Sequence, residues 1–286
     1  MFNSINIIKN RSDIGAGTRG SDMGVDAIEI AAINKKNSYF DQFEFVDVVT
    51  ENESIYNKVN NSFAKRIGNV LDQCTRVCDH VRDSLIAQKF PIVLSGDHSS
   101  ALGTISGVKA AYPNENVGVV WIDAHADIHS PYTSPSGNIH GMPLAAALSE
   151  DNLDFKINDI AGETSDHWEC MKNIGVQGAK VSAENVVYFG VRDTEEPEDK
   201  QIENLNIKNY TVSEVRYRGL DKCVAEALDK LSNCEVIYIS FDVDSMDCDM
   251  ISYGTGTPVS KGFDQKEVTQ IMQQIVENKK VVCVEF

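Results

Sequence analysis

Apolar residues Phe63, Ile67, Val70, Leu71, Cys74, Val77, Cys78, Val81 and Leu85 recur at steps of three and four. That is the period of an amphipathic helix, and it predicts one over residues 62–88. Charged faces alternating with Ala, Leu, Ile or Val predict further helices over 24–34, 101–111, 220–231 and 264–278. Between them lie short apolar, β-rich runs at 5–8, 43–49, 91–94, 117–122, 185–191, 210–212, 236–241 and 281–286. The runs are continuous in Val and Ile rather than alternating with polar residues, which marks strands buried on both faces and hence a mainly parallel sheet between helical layers. The expected fold class is α/β, a three-layer α/β/α sandwich. Residues 148–178 are polar with weak periodicity, so a surface helix and loop excursion is expected there rather than a linker. With no internal repeat, low-complexity tract or boundary, residues 1–286 are expected to form a single domain.

Composition narrows the class. With 42% hydrophobic and 24% charged residues the chain matches an ordinary globular protein, which excludes disordered, collagen-like and disulfide-scaffold classes. Its 26 basic and 43 acidic residues leave a net charge of −17, which repels polyanions and argues against a nucleic-acid partner. The same field suits a small cationic substrate, although surface acid also serves solubility. No apolar run approaches the roughly 18 residues of a membrane span, and residues 1–11 lack the basic start and apolar core of a signal peptide. A cytoplasmic enzyme with no membrane partner is expected. Seven cysteines, an odd number without paired metal-ligand spacing, read as reduced thiols. Cys74 and Cys78 read as small core residues rather than a redox pair.

Three apolar runs end in acid and imidazole: one at His98, one carrying Asp123, His125 and Asp127, and one carrying Asp242 and Asp244. In open parallel sheets ligands bind beyond the carboxyl ends of the strands, so the three clusters should converge. Residues two apart on an extended chain point to one side, so Asp123, His125 and Asp127 form one row if extension persists, and Asp242 with Asp244 a second. Each fragment alone has a plainer reading as a turn, cap or hydrogen-bonded histidine. Together they give two imidazoles and four carboxylates, whose mutual repulsion two divalent cations would relieve. A set without thiolate favours a hard or borderline ion such as Mn²⁺. Two such ions sharing carboxylates and a water would supply hydroxide near neutral pH.

The strings WIDAHADIHSPYTSPSGNIHGMPL from Trp121, SGDHSS from Ser95, SFDVDSMD from Ser240 and GTGTP from Gly254 carry a family resemblance. In order and over most of the chain they resemble the arginase branch of the ureohydrolases. The resemblance implies an α/β fold, a centre of two Mn²⁺ per chain, and hydrolysis of L-arginine to L-ornithine and urea in a homo-oligomer, a trimer or hexamer. It also implies that His98, Asp123, Asp127 and Asp242 bind one ion and His125, Asp123, Asp242 and Asp244 the other, with Asp123 and Asp242 bridging. Asp127 is counted among the catalytic residues as well. His140 is similar to the family's proton shuttle, and Glu285 matches its guanidinium-binding glutamate, a carboxylate suited to paired N–H donors. Thr257 matches a threonine of the Gly-rich turn, where packing is an equal alternative.

Ser136, Asn138 and Asp193 match residues that hold the α-carboxylate and α-amine of arginine in the resembling enzymes, with Glu198 a further match. Two positions depart: His129 replaces an Asn, and Glu195 a second Asp. Histidine can still donate one hydrogen bond, and Glu keeps the charge one methylene further out. Agmatine would leave carboxylate donors unpaired, so arginine is the expected guanidino substrate. Agmatine or a guanidino acid is the alternative, and a catalytically silent metal-binding regulator a weaker one. The chain stops at Phe286 where relatives continue past an Asn-Pro pair; lack of the family's C-terminal tail is expected to loosen Glu285 and expose a sheet edge there. Trp121 and Trp168 read as structural, His80 and His167 as surface or packing residues.

Overall fold

The computed structural model describes residues 2–59 and 61–286. Among these, eight strands form one sheet: β1 (Ser4–Asn10), β2 (Glu44–Asp47), β3 (Lys89–Ser95), β4 (Val117–Ile122), β5 (Val186–Phe189), β6 (Lys208–Tyr210), β7 (Val236–Phe241) and β8 (Val281–Glu285). Their order is β2-β1-β3-β8-β7-β4-β5-β6, and every pairing is parallel. The α-helices are α1 (Gly24–Asn34), α2 (Ile67–Ile86), α3 (Ala101–Ala111), α4 (Pro143–Leu148), α5 (Glu163–Lys172), α6 (Glu196–Asn204), α7 (Val212–Arg218), α8 (Leu220–Lys230) and α9 (Gln265–Val276). Among the described residues no helix is long and apolar enough to cross a membrane.

Strand alternation sorts the core into two layers. On β4, Val119 and Trp121 join the cluster of α2, α3, α4 and α5, while Val120 and Ile122 join that of α7, α8 and α9. This is the period-two geometry of a sheet covered on both faces. Helices α2 and α3 meet closely because α3 places Gly103 and Gly107 against carbonyls of α2. An added Cβ would stand 2.4 Å from the Cys74 carbonyl oxygen at one and 2.6 Å from that of Cys78 at the other. Cys74 and Cys78 lie buried as free thiols in this seam, and burial pushes the Cys78 thiol up to about 12. They are core residues, as their helical spacing suggested.

Several expectations need correction. Helix α2 begins at Ile67, not at 62, because Arg66 is left-handed at φ 57° and the preceding residues turn onto the 134–138 loop, with Lys65 N–H donating to Gly137 O at 2.8 Å. The run 210–212 straddles two elements: β6 ends at Tyr210, and Thr211 caps α7 by accepting Glu214 N–H at 3.1 Å. The short helices α4 and α6 escaped the periodicity argument because six and nine residues hold too few turns to display it. Strand β8 is no sheet edge: it runs between β3 and β7, Phe286 exchanges backbone hydrogen bonds with Val93 and Ser95, and its ring packs edge-on against Phe241.

Candidate metal centre

The carboxyl ends of β3, β8, β7 and β4 lie side by side, and their extensions converge. After β3, Asp97 accepts Ser99 N–H at 2.8 Å and Gly15 N–H at 3.0 Å, starting the short turn that presents His98. His98 Nδ1 lies 2.9 Å from Asp123 Oδ2, 2.9 Å from Asp127 Oδ2 and 3.3 Å from Asp242 Oδ2. His125 Nδ1 lies 3.1 Å from Asp244 Oδ2 and 3.5 Å from Asp123 Oδ1. Two candidate metal-holding groups result, His98 with Asp123 and Asp127, and His125 with Asp123 and Asp244. Asp123 belongs to both. Asp242 stands at the edge of the first, its Oδ1 accepting Asp244 N–H at 2.8 Å.

The extended rows do not persist. Beyond Ile122 the Asp123 side chain accepts His125 N–H at 2.8 Å, a local Asx turn, and Asp127 is left-handed at φ 50°. The turn sends Asp123 and Asp127 toward His98 while His125 faces Asp244. Asp242 likewise caps a short helical turn, Val243–Ser245, that carries Asp244.

Electrostatics test whether cations fit. Burial, with Asp244 and Asp123 close by, pushes the Asp242 carboxyl well above the usual range. Asp244 is pushed up to about 6 by burial and Asp123, and Asp127 is raised by burial and Asp123. Such crowding is tolerable only with protons or cations between the groups. Against burial, the carboxylates of Asp123 and Asp127 push the His98 imidazole well above its ordinary value, and its ring geometry is compatible with a cation at Nδ1. Its Nε2 pairs with Ser240 Oγ at 2.6 Å, whereas its buried Nδ1 makes no hydrogen bond although it faces three carboxylate oxygens. A ring that donates through Nε2 aims the Nδ1 lone pair at those oxygens, an arrangement a divalent cation resolves. The donor set of imidazole nitrogen and carboxylate oxygen fits such ions.

A cavity of about 700 Å³ opens beside the cluster, lined by His98, Asp242, Asp244, His140, Asn138, Thr257 and Glu285 among others. Glu285 is buried and tied by three hydroxyls: Ser95 at 2.7 Å and Ser100 at 2.5 Å on Oε1, Tyr238 at 2.7 Å on Oε2. It is not a solvated terminal acid. Burial pushes the His140 imidazole down. The Thr257 hydroxyl donates to Asp244 Oδ2 at 3.2 Å. Ser136 is exposed, its Oγ accepting Asn138 N–H at 3.2 Å.

On a second side, His129 is buried with Nδ1 3.0 Å from Thr133 Oγ1 and Nε2 3.2 Å from Glu195 and 3.4 Å from Glu198. Asp193 is exposed, 3.5 Å from His125 Nε2. Burial, with Asp127 nearby, pushes Glu198 up to about 8, and burial alone pulls His129 down to about 4.

Sequence reasoning missed the groups that hold this site. Trp121 is more than structural: its indole donates to Asp123 Oδ2 at 2.9 Å and its ring stacks on His98 at 4.2 Å. The Arg192 guanidinium donates to the carbonyls of Asp244 at 3.0 Å, Val259 at 2.9 Å and Ser260 at 3.0 Å, bracing the turn after β7. Ser240, Ser95, Ser100 and Tyr238 were equally silent, since a hydroxyl has no sequence signal until its partner is known.

Comparison with known proteins gives consistent results. The model of the arginase family matches residues 3–286. A curated arginase of Bacillus subtilis (strain 168) is 34% identical over 288 residues, covering 100% of this chain and 90% of that protein. The native structure of arginase from Bacillus caldovelox superposes with a TM-score of 0.85 at 32% identity, covering 99% of this chain and 89% of that one. The structure of Entamoeba histolytica arginase in complex with L-ornithine does so with a TM-score of 0.85 at 27% identity, covering 99% and 90%.

Proposed function

This chain belongs to the arginase family of hydrolases acting on carbon–nitrogen bonds of linear amidines, and on that premise we propose that it converts L-arginine to L-ornithine and urea with two Mn²⁺. The observation that carries the reading is one cavity lined by His98 and Asp244, one from each Asp123-centred histidine–carboxylate group, together with Asp242, His140 and the thrice-anchored Glu285. We read His98, Asp123, Asp127 and Asp242 as holding one ion, and His125, Asp123, Asp242 and Asp244 as holding the other. Ions bound there would bring water to hydroxide near neutral pH, the nucleophile a planar guanidinium carbon requires.

The chain's own groups do the rest. Glu285 keeps one rotamer because Ser95, Ser100 and Tyr238 fix it, and its remaining lone pairs accept paired guanidinium N–H bonds. That contact orients the substrate's planar carbon. His140 is anchored by its backbone N–H to Gly15 O at 3.1 Å; an imidazole kept neutral by burial takes a proton from solvent and delivers it to the leaving nitrogen. Asn138 and Ser136 serve the substrate's carboxylate, and Asp193, Glu195 and Glu198 its amine. In this reading the protein assembles as a homo-oligomer and works in the cytoplasm.

One observation favours a second reading. His129 Nε2 lies 3.2 Å from Glu195 and 3.4 Å from Glu198, so this ring faces two carboxylates of the chain itself rather than a position reserved for a substrate carboxylate, which suits a guanidino substrate such as agmatine. The test is urea release from L-arginine, agmatine and 4-guanidinobutyrate by metal-stripped protein with and without added Mn²⁺. Manganese-dependent urea from arginine in preference to the others is expected. Preference for agmatine or the guanidino acid moves the assignment to the sister activity, and silence with all three overturns it.

A further inference from the structure

Lys65 has no place in the site described so far, yet it is locked onto it. The segment before α2 lies against the 134–138 loop so closely that a Cβ at Gly137 would stand 1.9 Å from the Ser62 carbonyl oxygen. Lys65 N–H donates to Gly137 O at 2.8 Å, and Lys65 Nζ donates to Asn138 Oδ1 at 3.1 Å. An amide has one acceptor and one donor end. With the ammonium holding the oxygen, Nδ2 is turned toward Gly17, where an added Cβ would stand only 2.5 Å from it. Gly17 and Asn138 both line the cavity beside the candidate metal centre, with His140 next to them. Lys65 itself is not part of the lining.

We infer that Lys65 is a positioning residue for substrate selection: it fixes the Asn138 amide with its donor end presented to the cavity, and thereby makes this end of the cavity select a ligand carrying a carboxylate. The inference rests on the reading of Asn138 as a carboxylate contact. Without the ammonium the amide is free to flip, and a flipped amide presents an acceptor that repels a carboxylate. The positive charge behind Asn138 adds to the preference, in a protein whose net charge of −17 otherwise opposes anions.

The test compares two probes that differ in the carboxylate alone, L-ornithine and 1,4-diaminobutane, by calorimetric titration into the Mn²⁺-loaded protein. Variants are Lys65→Met, which keeps the aliphatic stem, and Lys65→Arg, which keeps charge and donor. Lys65→Met is expected to weaken L-ornithine about tenfold, the loss of one charge-assisted orientation, with the diamine unchanged. Lys65→Arg should restore most of the loss, and with L-arginine as substrate Lys65→Met should raise KM while leaving kcat within about twofold. Unchanged L-ornithine binding in Lys65→Met overturns the inference, and so does equal weakening of both probes, which would mark a merely structural role. Urea release by the unaltered protein is read separately. Its absence alongside Lys65-dependent L-ornithine binding overturns the arginine reading and leaves this inference standing, whereas urea release with no Lys65 effect does the reverse.

Discussion

At Ser240 a single hydroxyl holds the outer edge of the His98 ring through a 2.6 Å contact to Nε2. Ser240→Ala is expected to cost roughly tenfold in Mn²⁺ affinity, the range for a lost partner of a ligating histidine. Calorimetric titration of metal-stripped protein checks it, and unchanged affinity would mean that Trp121 stacking alone orients the ring. Glu285 poses the complementary case, since it appears in neither candidate metal group. Glu285→Gln keeps the hydroxyl contacts in part but loses the charge that, in the proposed reading, pairs with a guanidinium. The expected result is a drop of at least about a hundredfold in kcat/KM, with Mn²⁺ affinity unchanged in the same titration.

At the scale of elements, the α2–α3 seam carries His98, because α3 follows directly from the turn His98–Ser100. Cys74 Sγ reaches Ser99 O at 3.2 Å across that seam, so the spacing of two helices is transmitted to the site. Gly107→Ala would place a methyl carbon 2.6 Å from the Cys78 carbonyl oxygen and 2.7 Å from Val81 Cβ. Backbone cannot yield cheaply there, and a loss of about 1 to 3 kcal/mol is expected despite alanine's better helix propensity. Denaturant unfolding measures it; a stabilised variant would show that the helices separate freely. Gly141→Ala, with nothing within 4 Å of an added Cβ, is the control for crowding.

For the whole molecule, the site is a concentration of negative charge enclosed by a sheet and two helical layers, so ion binding and stability are linked. Mn²⁺ at about a hundred times its dissociation constant should stabilise the fold by roughly 2.7 kcal/mol, read as a rise in Tm over stripped protein. The sign of the pH effect follows from Asp244, raised to about 6 by burial and Asp123. Above that pH the carboxylate is ionised and available; as pH falls through about 6, protons compete with the ion. The Mn²⁺-induced gain in Tm should therefore be full near about pH 8 and fade between about pH 6 and 5. A gain that persists undiminished to pH 5 would show that Asp244 holds no ion.

The chain by itself determined what depends on local pattern. Continuous apolar runs specified buried strands, and 117–122 and 236–241 coincide with β4 and β7. Because ligand-bearing residues follow such runs directly, their gathering at one end of a parallel sheet was legible too. Tertiary structure alone decided which atoms face which. A left-handed Asp127 and an Asx turn at Asp123 split an apparent row of ligands between two groups. The Glu285 cradle joins residues up to 190 positions apart, and Lys65 meets Asn138 across 73. Periodicity reports whether a side chain is buried; the partner of a hydroxyl, an amide or an ammonium is chosen by atoms distant in sequence, and those distances exist only once the layers have packed.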